Sequence, residues 1–511
     1  MIDLTVAQIA EIVGGTLADI SPAAAAATRV TGTVEFDSRA VGPGGLFLAL
    51  PGARSDGHDH AASAITAGAV AVLAARPVGV PAILVAPQPR TAEGGLAGVL
   101  EHDADGSGAA VLAALAKLAR TVAVELVAGG LTIVGITGSS GKTSTKDLVA
   151  AVLEPLGQVV APPGSFNNEL GHPWTVLRAT RDTDYLVLEM SARHPGNIAA
   201  LAEIAPPSIG VVLNVGTAHL GEFGSREAIA RTKAELPQAV PASGVVILNV
   251  DDPAVAAMAE VTAARVVRVS RDSAADIWAG PVTLDELARP QFTMHAGDVH
   301  AEIRLGVYGD HQVGNALCAA AVALECGATP EQVAAALATA GPVSRHRMQV
   351  TNRADGVTVI DDAYNANPDS MRAGLQALAW IAHSQAEDGP AEKRRSWAVL
   401  GEMAELGADA ISEHDRIGRL AVRLDVSRLV VVGTGRSMSA MYHSAVLEGG
   451  WGSWGTQTDR GVVSVPDAEA ALALLRAELR PGDVVLVKAS NAAGLGALAD
   501  ALADSDESAR R

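Results

Sequence analysis

A short glycine- and hydroxyl-rich stretch, ITGSSGKTSTKDL (136–148), has the composition of a phosphate-binding loop. Its glycines allow backbone N–H groups to turn toward one point, and the helix expected from Lys142 onward adds its positive N-terminal end. Lys142 would reach the outer phosphates of a nucleotide, and the Thr143 hydroxyl would hold magnesium. Ile136 replaces the first glycine of G-x-x-x-x-G-K-[ST], so the match is to a shorter form. The predicted nucleotide-binding residues are Gly138, Ser139, Ser140, Gly141, Lys142, Thr143 and Ser144.

A plain glycine turn with Lys142 in solvent is the alternative interpretation of this stretch. The phosphate-binding motif requires a strand that leads into the loop, and the apolar run LTIVGITG (131–138) occupies that place. We therefore expect a strand, a phosphate-binding loop and a helix, in that order.

Two further candidates each lie at or just beyond an apolar run typical of a strand. Glu189 belongs to DYLVLEM (184–190), and His219 follows IGVVLNV (209–215). In doubly wound sheets ligands bind beyond the carboxyl ends of the strands, so both side chains could join Thr143 around Mg²⁺. Histidine is an unusual magnesium ligand. Taken alone, Glu189 could be a helix cap or a surface charge, and His219 an ordinary loop histidine.

Apolar runs bounded by polar turns recur along the chain and predict an α/β protein in three blocks. Short continuous runs suit parallel sheets that are covered on both faces. EHDADGSG (101–108) predicts a linker, and SPAAAAAT (21–28) predicts a low-complexity loop or an insertion. The predicted domains are residues 1–106, 107–341 and 342–511. The predicted strands are LFLAL (46–50), AVAVLAA (69–75), PAILVA (81–86), LTIVGITG (131–138), DYLVLEM (184–190), IGVVLNV (209–215), GVVILNV (244–250) and runs within 356–368, 397–407, 428–435 and 483–490.

The charge balance limits the possible partners. The 511 residues carry a formal net charge of -19, which argues against a general nucleic-acid or membrane-surface binder. The first residues, MIDLTVAQIAEIVGG, lack the basic region of a signal peptide, and no unbroken apolar run reaches the length of a membrane span, about 18 residues. The cytoplasm is the expected compartment, and an anionic ligand would need a local basic site.

Seven motifs, taken in order, resemble those of the Mur ligases, which are ATP-dependent enzymes that form amide bonds in peptidoglycan synthesis. The resemblance spans nearly the whole chain. It implies three domains: a small α/β UDP-substrate domain, a central P-loop ATPase with a mostly parallel sheet, and a C-terminal Rossmann-like domain. The motifs are TGSSGKTS (137–144), SFNNELGHP (165–173), LEMSARHPGNI (188–198), NVGTAHLGEFGS (214–225), RTKAEL (231–236), GDHQVGNALCAA (309–320) and DDAYNANP (361–368).

Two longer segments narrow the resemblance to one activity. FDSRAVGPGGLFLALPGARSDGHDH (36–60) resembles the UDP-binding segment of the later ligases, and DDAYNANPDSMRAGLQAL (361–378) is similar to the dipeptide-adding form. The resemblance implies that D-alanyl-D-alanine is joined to UDP-N-acetylmuramoyl tripeptide through an acyl phosphate. The implied reaction requires ATP and Mg²⁺. Its product serves cell-wall biogenesis, cell shape and cell division. We expect a monomer with no nucleic-acid partner and no stable membrane insertion.

The resemblance also implies roles for single residues of the central block. Lys233 matches the lysine that Mur ligases carbamylate, whereas the bare sequence predicts an exposed helix lysine. His219 matches the ligand of a second metal, and Thr143 and Glu189 match the ligands of the first. The implied catalytic set is Lys142, Glu189, His219 and Lys233.

Three residues match nucleotide contacts of the family. Asn315 matches a nucleotide-contacting asparagine, Arg347 an arginine that faces ATP when the domains close, and Asp362 the ribose-binding aspartate. Without the resemblance all three are interpreted as polar surface residues, and Asn315 also as a helix N-terminal cap.

The sugar-nucleotide and peptide contacts come from two other segments. The implied set is Ser38, Arg39, Asn167 and Asn168. Two positions depart from the family pattern: Ser191 replaces a glycine, and Asn491 stands where arginine is common. These departures concern the site for the incoming amine and leave the ATP chemistry unchanged.

Three other interpretations stay open at this point. The first is another Mur ligase or a folate-type polyglutamate ligase, of which the latter would lack the UDP-binding segment. The second is a P-loop GTPase or regulatory ATPase, which needs an N-K-x-D motif that LNVDD (248–252) does not supply. The third is an inactive sugar-nucleotide-binding protein, which would have no reason to keep the four implied catalytic residues together.

Overall fold

The computed structural model describes residues 1–53, 55–87, 101–216, 220–384, 394–449 and 460–504. Within these ranges the chain forms three large sheets, each with helices packed against it, and one small antiparallel pair, Leu4–Thr5 with Arg29–Val30. The sheets follow one another along the chain, as the three predicted blocks require.

The central sheet positions the candidate site. Strand Thr132–Thr137, which leads into the glycine loop, lies between Tyr185–Glu189 and Ile209–Val212, and all three run parallel. Their apolar side chains are almost completely buried, as expected for a sheet covered on both faces. Because parallel neighbours end at the same edge, the glycine loop, Glu189 and the segment after Val212 are brought together. In spatial order the strands are Thr283–Leu284, Pro290–Ala296, Ile277–Ala279, Arg265–Ser270, Val245–Asn249, Ile209–Val212, Thr132–Thr137, Tyr185–Glu189 and Val159–Val160, with Val299–Arg304 beside Pro290–Ala296.

An antiparallel extension of this sheet was not among the predicted strands. Ile277–Ala279 pairs antiparallel with Pro290–Ala296, which forms a hairpin with Val299–Arg304. Gly297 has φ +59 in the turn, which glycine adopts without steric cost. The alternating side chains of the hairpin bury one face only, so the segment lacks the continuous apolar runs on which the predicted strands were based.

The two outer sheets are smaller and mostly parallel. Each has one antiparallel edge strand, Thr16–Ala18 in the first and Gln349–Asn352 in the other. The order in the N-terminal sheet is Thr16–Ala18, Ala82–Leu84, Ala69–Ala74, Gly45–Leu48 and Val34–Glu35. The order in the C-terminal sheet is Gln349–Asn352, Thr358–Asp361, Val484–Lys488, Ser396–Leu400, Arg428–Val432 and Gly461–Val465.

Helices connect these strands, and one of them lies where the sequence predicted a loop or an insertion. Residues 21–28 are not a loop, because Pro22–Ala27 is a helix. The Ser21 side chain accepts a hydrogen bond from the backbone N–H of Ala24, proline occupies the first turn, and alanine has the highest helix propensity. The other α-helices are Val6–Val13, Ala61–Ala67, Ser107–Ala128, Lys142–Leu153, Gly171–Val176, Asn197–Ile204, Leu220–Phe223, Arg226–Lys233, Glu235–Ala239, Pro253–Ala256, Gln312–Glu325, Pro330–Thr339, Pro368–His383, Ala410–Arg423, Arg436–Gly449, Ala468–Glu478 and Gly496–Ala503. Short 3-10 helices are Gly57–His60, Ala257–Glu260, Gly407–Asp409 and Asn491–Ala493.

The helix Ser107–Ala128 lies between the N-terminal and central blocks. Leu115 and Leu118 on this helix are fully buried in one continuous cluster with Ile9 of the N-terminal block and Ile133 of the central sheet. The two blocks therefore share a hydrophobic core. In the described parts of the chain no helix has the length and apolar character needed to cross a membrane.

Candidate active site

The glycine loop has the conformation that its sequence predicts. Gly141 has φ +83 and directly precedes helix Lys142–Leu153, which begins at the predicted residue. A Cβ atom at Gly141 would lie 2.7 Å from Oδ1 of Asn315, so a larger residue would have to displace the Asn315 side chain. Lys142 Nζ donates to the Gly138 carbonyl at 2.7 Å, and desolvation lowers its pKa. Lys142 is therefore held against the loop, and the interpretation as a solvated lysine is wrong.

Asn214 holds the loop in place and was missed by the sequence analysis. Its Oδ1 accepts from the backbone N–H groups of Ser139 and Ser140 at 3.0 Å each, and its Nδ2 donates to the Ser140 carbonyl at 3.1 Å. Ser139 Oγ in turn accepts from the Gly216 N–H at 2.9 Å. The position of Asn214 just beyond the neighbouring strand was the available signal, because that edge of the sheet faces the loop.

Glu189 is a fully buried carboxylate at the end of its strand. Its Oε2 accepts from Thr143 Oγ1 and Ser165 Oγ, both at 3.2 Å, and from Asn167 Nδ2 at 3.4 Å. Its Oε1 is buried and has no hydrogen-bond partner among the described residues. A buried anion requires compensation, and a hard divalent cation prefers carboxylate and hydroxyl oxygens. Glu189 and Thr143 therefore fit a magnesium ion, whereas the alternatives of a helix cap or a surface charge are wrong for Glu189.

Lys233 is buried, contrary to the bare-sequence prediction of an exposed lysine. It ends helix Arg226–Lys233 and retains 7% of its accessible surface. Desolvation, followed by the positive charge of Lys142, lowers its pKa well below the usual value near 10.5. A neutral amine is the form that can react with an electrophile, so this environment favours covalent modification of Lys233.

His219 lies outside the described residues. Its assignment as a metal ligand stays a prediction. Leu220–Phe223 is the next described helix, and Gly221 there is in close contact with Gly407 of the C-terminal block.

The C-terminal block brings an arginine to the glycine loop. Arg347 Nη2 donates to Thr143 Oγ1 at 3.3 Å, and its guanidinium lies 4.2 Å from the centroid of the Tyr364 ring. Asp362 is buried, accepts from the Met348 N–H at 3.2 Å, and contacts Lys488 Nζ at 2.5 Å. Its interpretation as surface polar is therefore wrong. The buried Lys488, whose pKa desolvation lowers, was missed by the sequence analysis.

Asn315 lies in the first turn of helix Gln312–Glu325 but is not its cap. His311 occupies the cap position, and Asn315 Nδ2 donates to Gln312 Oε1 at 2.8 Å. The Asn315 side chain is buried against Gly141. The structure thus places it beside the glycine loop.

Many of these groups line one cavity of about 1090 Å³ between the central and C-terminal blocks, whereas Gly138, Glu189 and Lys233 are not part of its lining. Both departures from the family pattern belong to its wall, so they can affect what binds there. The predicted residues that line it include Ser139, Ser140, Gly141, Lys142, Thr143, Ser144, Asn167, Asn168, Asn315, Arg347 and Asp362, together with Ser191 and Asn491.

The structure does not bring Ser38 and Arg39 to this cavity. Arg39 is exposed and forms an ion pair with Asp37 at 2.7 Å, and this hydrogen bond lowers the pKa of Asp37 to about 2. The segment that carries Ser38 and Arg39 is nevertheless joined to the central block. Trp174 packs against both Phe36 and Phe166, with ring centroids 5.8 and 4.7 Å apart.

The fold and site together define a multidomain α/β enzyme with a P-loop-type turn at the centre and a second unit facing it. The chain belongs to the Mur ligase family. The family model for the Mur ligase middle domain matches residues 136–323, and the Mur ligase, glutamate ligase domain matches 346–491. The Mur ligase family catalytic domain matches 32–118. The predicted family resemblance is confirmed.

Individual relatives agree with this assignment. A Mycobacterium tuberculosis protein described as UDP-N-acetylmuramoyl-tripeptide–D-alanyl-D-alanine ligase is 81% identical over 510 residues, 99% of each chain. A crystal structure of MurF from Acinetobacter baumannii has a TM-score of 0.78 and 27% identity, covering 98% of this chain and 99% of that one. The Thermotoga maritima MurF ligase in complex with ADP has a TM-score of 0.71 and 27% identity, covering 94% and 99%. These likenesses confirm the predicted three-domain α/β fold class.

Proposed function

We propose that this protein joins D-alanyl-D-alanine to UDP-N-acetylmuramoyl tripeptide at the expense of ATP, giving the muramoyl pentapeptide of peptidoglycan synthesis. The observation that carries the proposal is the convergence of Lys142, Thr143 and Arg347 on one cavity, with the buried Glu189 bonded to the Thr143 hydroxyl. The M. tuberculosis relative supports the choice of substrates, since its description names both. The MurF ligase with ADP supports ATP as the phosphate donor.

The chemistry explains why cations surround the cavity. A carboxylate is a poor electrophile, so the terminal carboxylate of the tripeptide is first phosphorylated by the γ-phosphate of ATP. The resulting acyl phosphate has a good leaving group, and the amine of D-alanyl-D-alanine displaces phosphate through a tetrahedral intermediate. Two anions must approach each other in the first step, and Lys142 and Arg347 reduce their repulsion.

Magnesium fits the residues that the family resemblance assigned to it. Thr143 and Glu189 would hold one ion, and His219 is proposed as a ligand for a second. Bound Mg²⁺ would supply positive charge to the phosphate oxygens. Ser165 and Asn167 orient Glu189 Oε2 and leave Oε1 available.

Lys233 is proposed to act after carbamylation. Its buried, low-pKa amine is nucleophilic at neutral pH and can add to carbon dioxide, with loss of one proton from nitrogen. The product is an anion, which would reverse the charge beside Lys142 and help to orient a cation there.

The remaining assignments belong to the same proposal. Asn315 and Asp362 contact the nucleotide, Ser38 and Arg39 bind the UDP group, and Asn167 and Asn168 hold the peptide and phosphate. Closure of the C-terminal domain over the cavity excludes water, which would otherwise hydrolyse the acyl phosphate. The proposal also includes domain boundaries near residues 106 and 341, a cytoplasmic location and a monomeric state.

Isotope transfer tests the central step. The protein is incubated with ATP, Mg²⁺, D-alanyl-D-alanine and tripeptide substrate carrying oxygen-18 in its terminal carboxylate. Mass spectrometry should find the pentapeptide product and one oxygen-18 in the released phosphate. Pentapeptide formed without label in phosphate would exclude the acyl phosphate. Phosphate release that needs neither substrate would instead indicate a regulatory ATPase.

A further inference from the structure

The backbone around Arg347 has an unusual conformation. Among the described residues six non-glycine residues have positive φ, and two of them, His346 at +57 and Met348 at +49, flank Arg347. Such conformations are unfavourable for residues with a side chain and persist only where surrounding contacts enforce them. The segment that carries the arginine is therefore held by its neighbours.

The His346 imidazole provides the main side-chain anchor. Its Nδ1 lies 2.7 Å from Oδ2 of Asp361, which is buried at the end of strand Thr358–Asp361. The ring also packs against Gly496, where a Cβ atom would lie 3.2 Å from Nε2. On its remaining side Asp500 approaches Nε2 at 4.0 Å.

Backbone hydrogen bonds complete the support on either side of Arg347. The His346 N–H donates to Gln349 Oε1, and the His346 carbonyl accepts from the Tyr364 N–H, both at 3.2 Å. The Met348 N–H donates to Asp362 Oδ1 at 3.2 Å. The neighbouring aspartates 361 and 362 thus hold opposite sides of the arginine, one through an imidazole and the other through a backbone amide.

Arg347 connects this segment to the glycine loop of the central block. Its guanidinium stacks on Tyr364 and donates to Thr143 of the glycine loop. Its direction depends on the backbone turn, because the side chain leaves the chain between two left-handed residues.

We propose that the His346–Asp361 pair is a positioning element that directs Arg347 toward the phosphates of the nucleotide. His346 is not part of the cavity lining, and it acts through the backbone of Arg347. The inference deepens the proposed function and rests on its assignment of Arg347 to ATP.

The test compares two replacements of His346. His346→Leu has similar bulk but cannot bond to Asp361 and disfavours positive φ, whereas His346→Asn tolerates positive φ and can donate to the carboxylate. We expect His346→Leu to weaken binding of ATP with Mg²⁺ about tenfold by calorimetry and to raise KM for ATP similarly. KM for the UDP-tripeptide should not change. His346→Asn should recover most of the affinity.

A double-mutant cycle with Arg347 separates positioning from simple destabilisation. In an Arg347→Ala background, His346→Leu should have no further effect on ATP binding, since there is no guanidinium left to direct. Arg345→Ala, which removes an exposed ion pair with Asp500 and leaves the contact between His346 and Asp361, should bind ATP normally. Equal losses in both backgrounds, or unchanged ATP affinity in His346→Leu, would overturn the proposal. The binding readout does not depend on ligation, so absence of pentapeptide with the unaltered protein would refute only the proposed function.

Discussion

The Thr143 hydroxyl lies 3.2 Å from Oε2 of Glu189, so the helix after the glycine loop is in direct contact with the end of the neighbouring strand. The contact follows from the register of the sheet, in which Glu189 is paired with Ile136. Both residues therefore come to the same edge, and Arg347 donates to the same hydroxyl from the other side. One threonine joins three segments of the chain.

Glu189→Gln tests the carboxylate. The substitution keeps the shape and the contact to Thr143 but removes the charge that would hold magnesium. Turnover should fall about a hundredfold to a thousandfold, and the Mg²⁺ concentration for half-maximal rate should rise. Coupled phosphate-release assays across a magnesium series would show this. Ser165→Ala, which removes one donor to Oε2 and leaves the charge, should have a much smaller effect. Unchanged magnesium dependence in Glu189→Gln would contradict the assignment.

Lys142→Ala tests the charge at the glycine loop. We expect loss of measurable turnover, at least about a hundredfold, while circular dichroism and the melting temperature stay close to those of the unaltered protein. Lys117→Ala is the matched control, because Lys117 lies on helix Ser107–Ala128 and its Nζ contacts the Val13 carbonyl at 3.5 Å, away from the cavity. The role of Lys142 is refuted if the variant forms pentapeptide at the normal rate.

Gly141→Ala tests the loop conformation. The new Cβ would meet Asn315 Oδ1 at 2.7 Å, and alanine at φ +83 is strained by about 1–2 kcal/mol. ATP binding measured by calorimetry should weaken at least about tenfold. The double variant with Asn315→Ala removes the clash but keeps the strain, so it should not restore normal affinity. Normal ATP affinity in Gly141→Ala would show that the loop does not hold the nucleotide.

Lys233→Met tests the buried amine through its dependence on pH. The pKa of Lys233 is lower in the folded than in the unfolded protein, so between these two pKa values the unfolded chain binds more protons and stability rises with pH. Methionine has no such dependence. In carbonate-free buffer Lys233→Met should therefore melt higher than the unaltered protein near pH 7, and the difference should shrink as the pH approaches 10. A difference that widens over this range would be inconsistent with a depressed pKa. Adding bicarbonate should affect only the protein with Lys233.

Trp174→Ala tests the contact between the N-terminal and central blocks. The ring packs against Phe36 and Phe166, and its Nε1 donates to the Val34 carbonyl at 2.8 Å. Trp174→Ala should lower the free energy of unfolding by about 3–5 kcal/mol. Trp174→Phe should lose chiefly the hydrogen bond and lower it by about 1 kcal/mol. Thermal unfolding would measure both. KM for the UDP-tripeptide should rise in the alanine variant, because Phe36 precedes the loop that carries Ser38 and Arg39. Equal melting temperatures of the alanine and phenylalanine variants would contradict the importance of this contact.

Local patterns predicted much of the fold and less of the site. The runs around Ile136, Leu188 and Val211 could be recognised because strands buried on both faces are continuously apolar. The hairpin Pro290–Ala296 with Val299–Arg304 could not, since only one of its faces is buried. The burial of Lys233 was not predictable from the residues alone, because a helix lysine is usually exposed and only tertiary packing decides otherwise. Asn214 was missed because a strand-end asparagine has many ordinary roles and only the sheet order shows what it faces.

The shared core around helix Ser107–Ala128 has a consequence for dissecting this protein. A cut after residue 106 would follow the predicted division, but it would strip Ile9 and Val13 of their cover and leave the opposite face of Leu115 in water. Neither fragment would keep a closed interior. The N-terminal block is therefore best isolated with this helix attached, and in the whole protein its thermal unfolding should coincide with that of the central sheet.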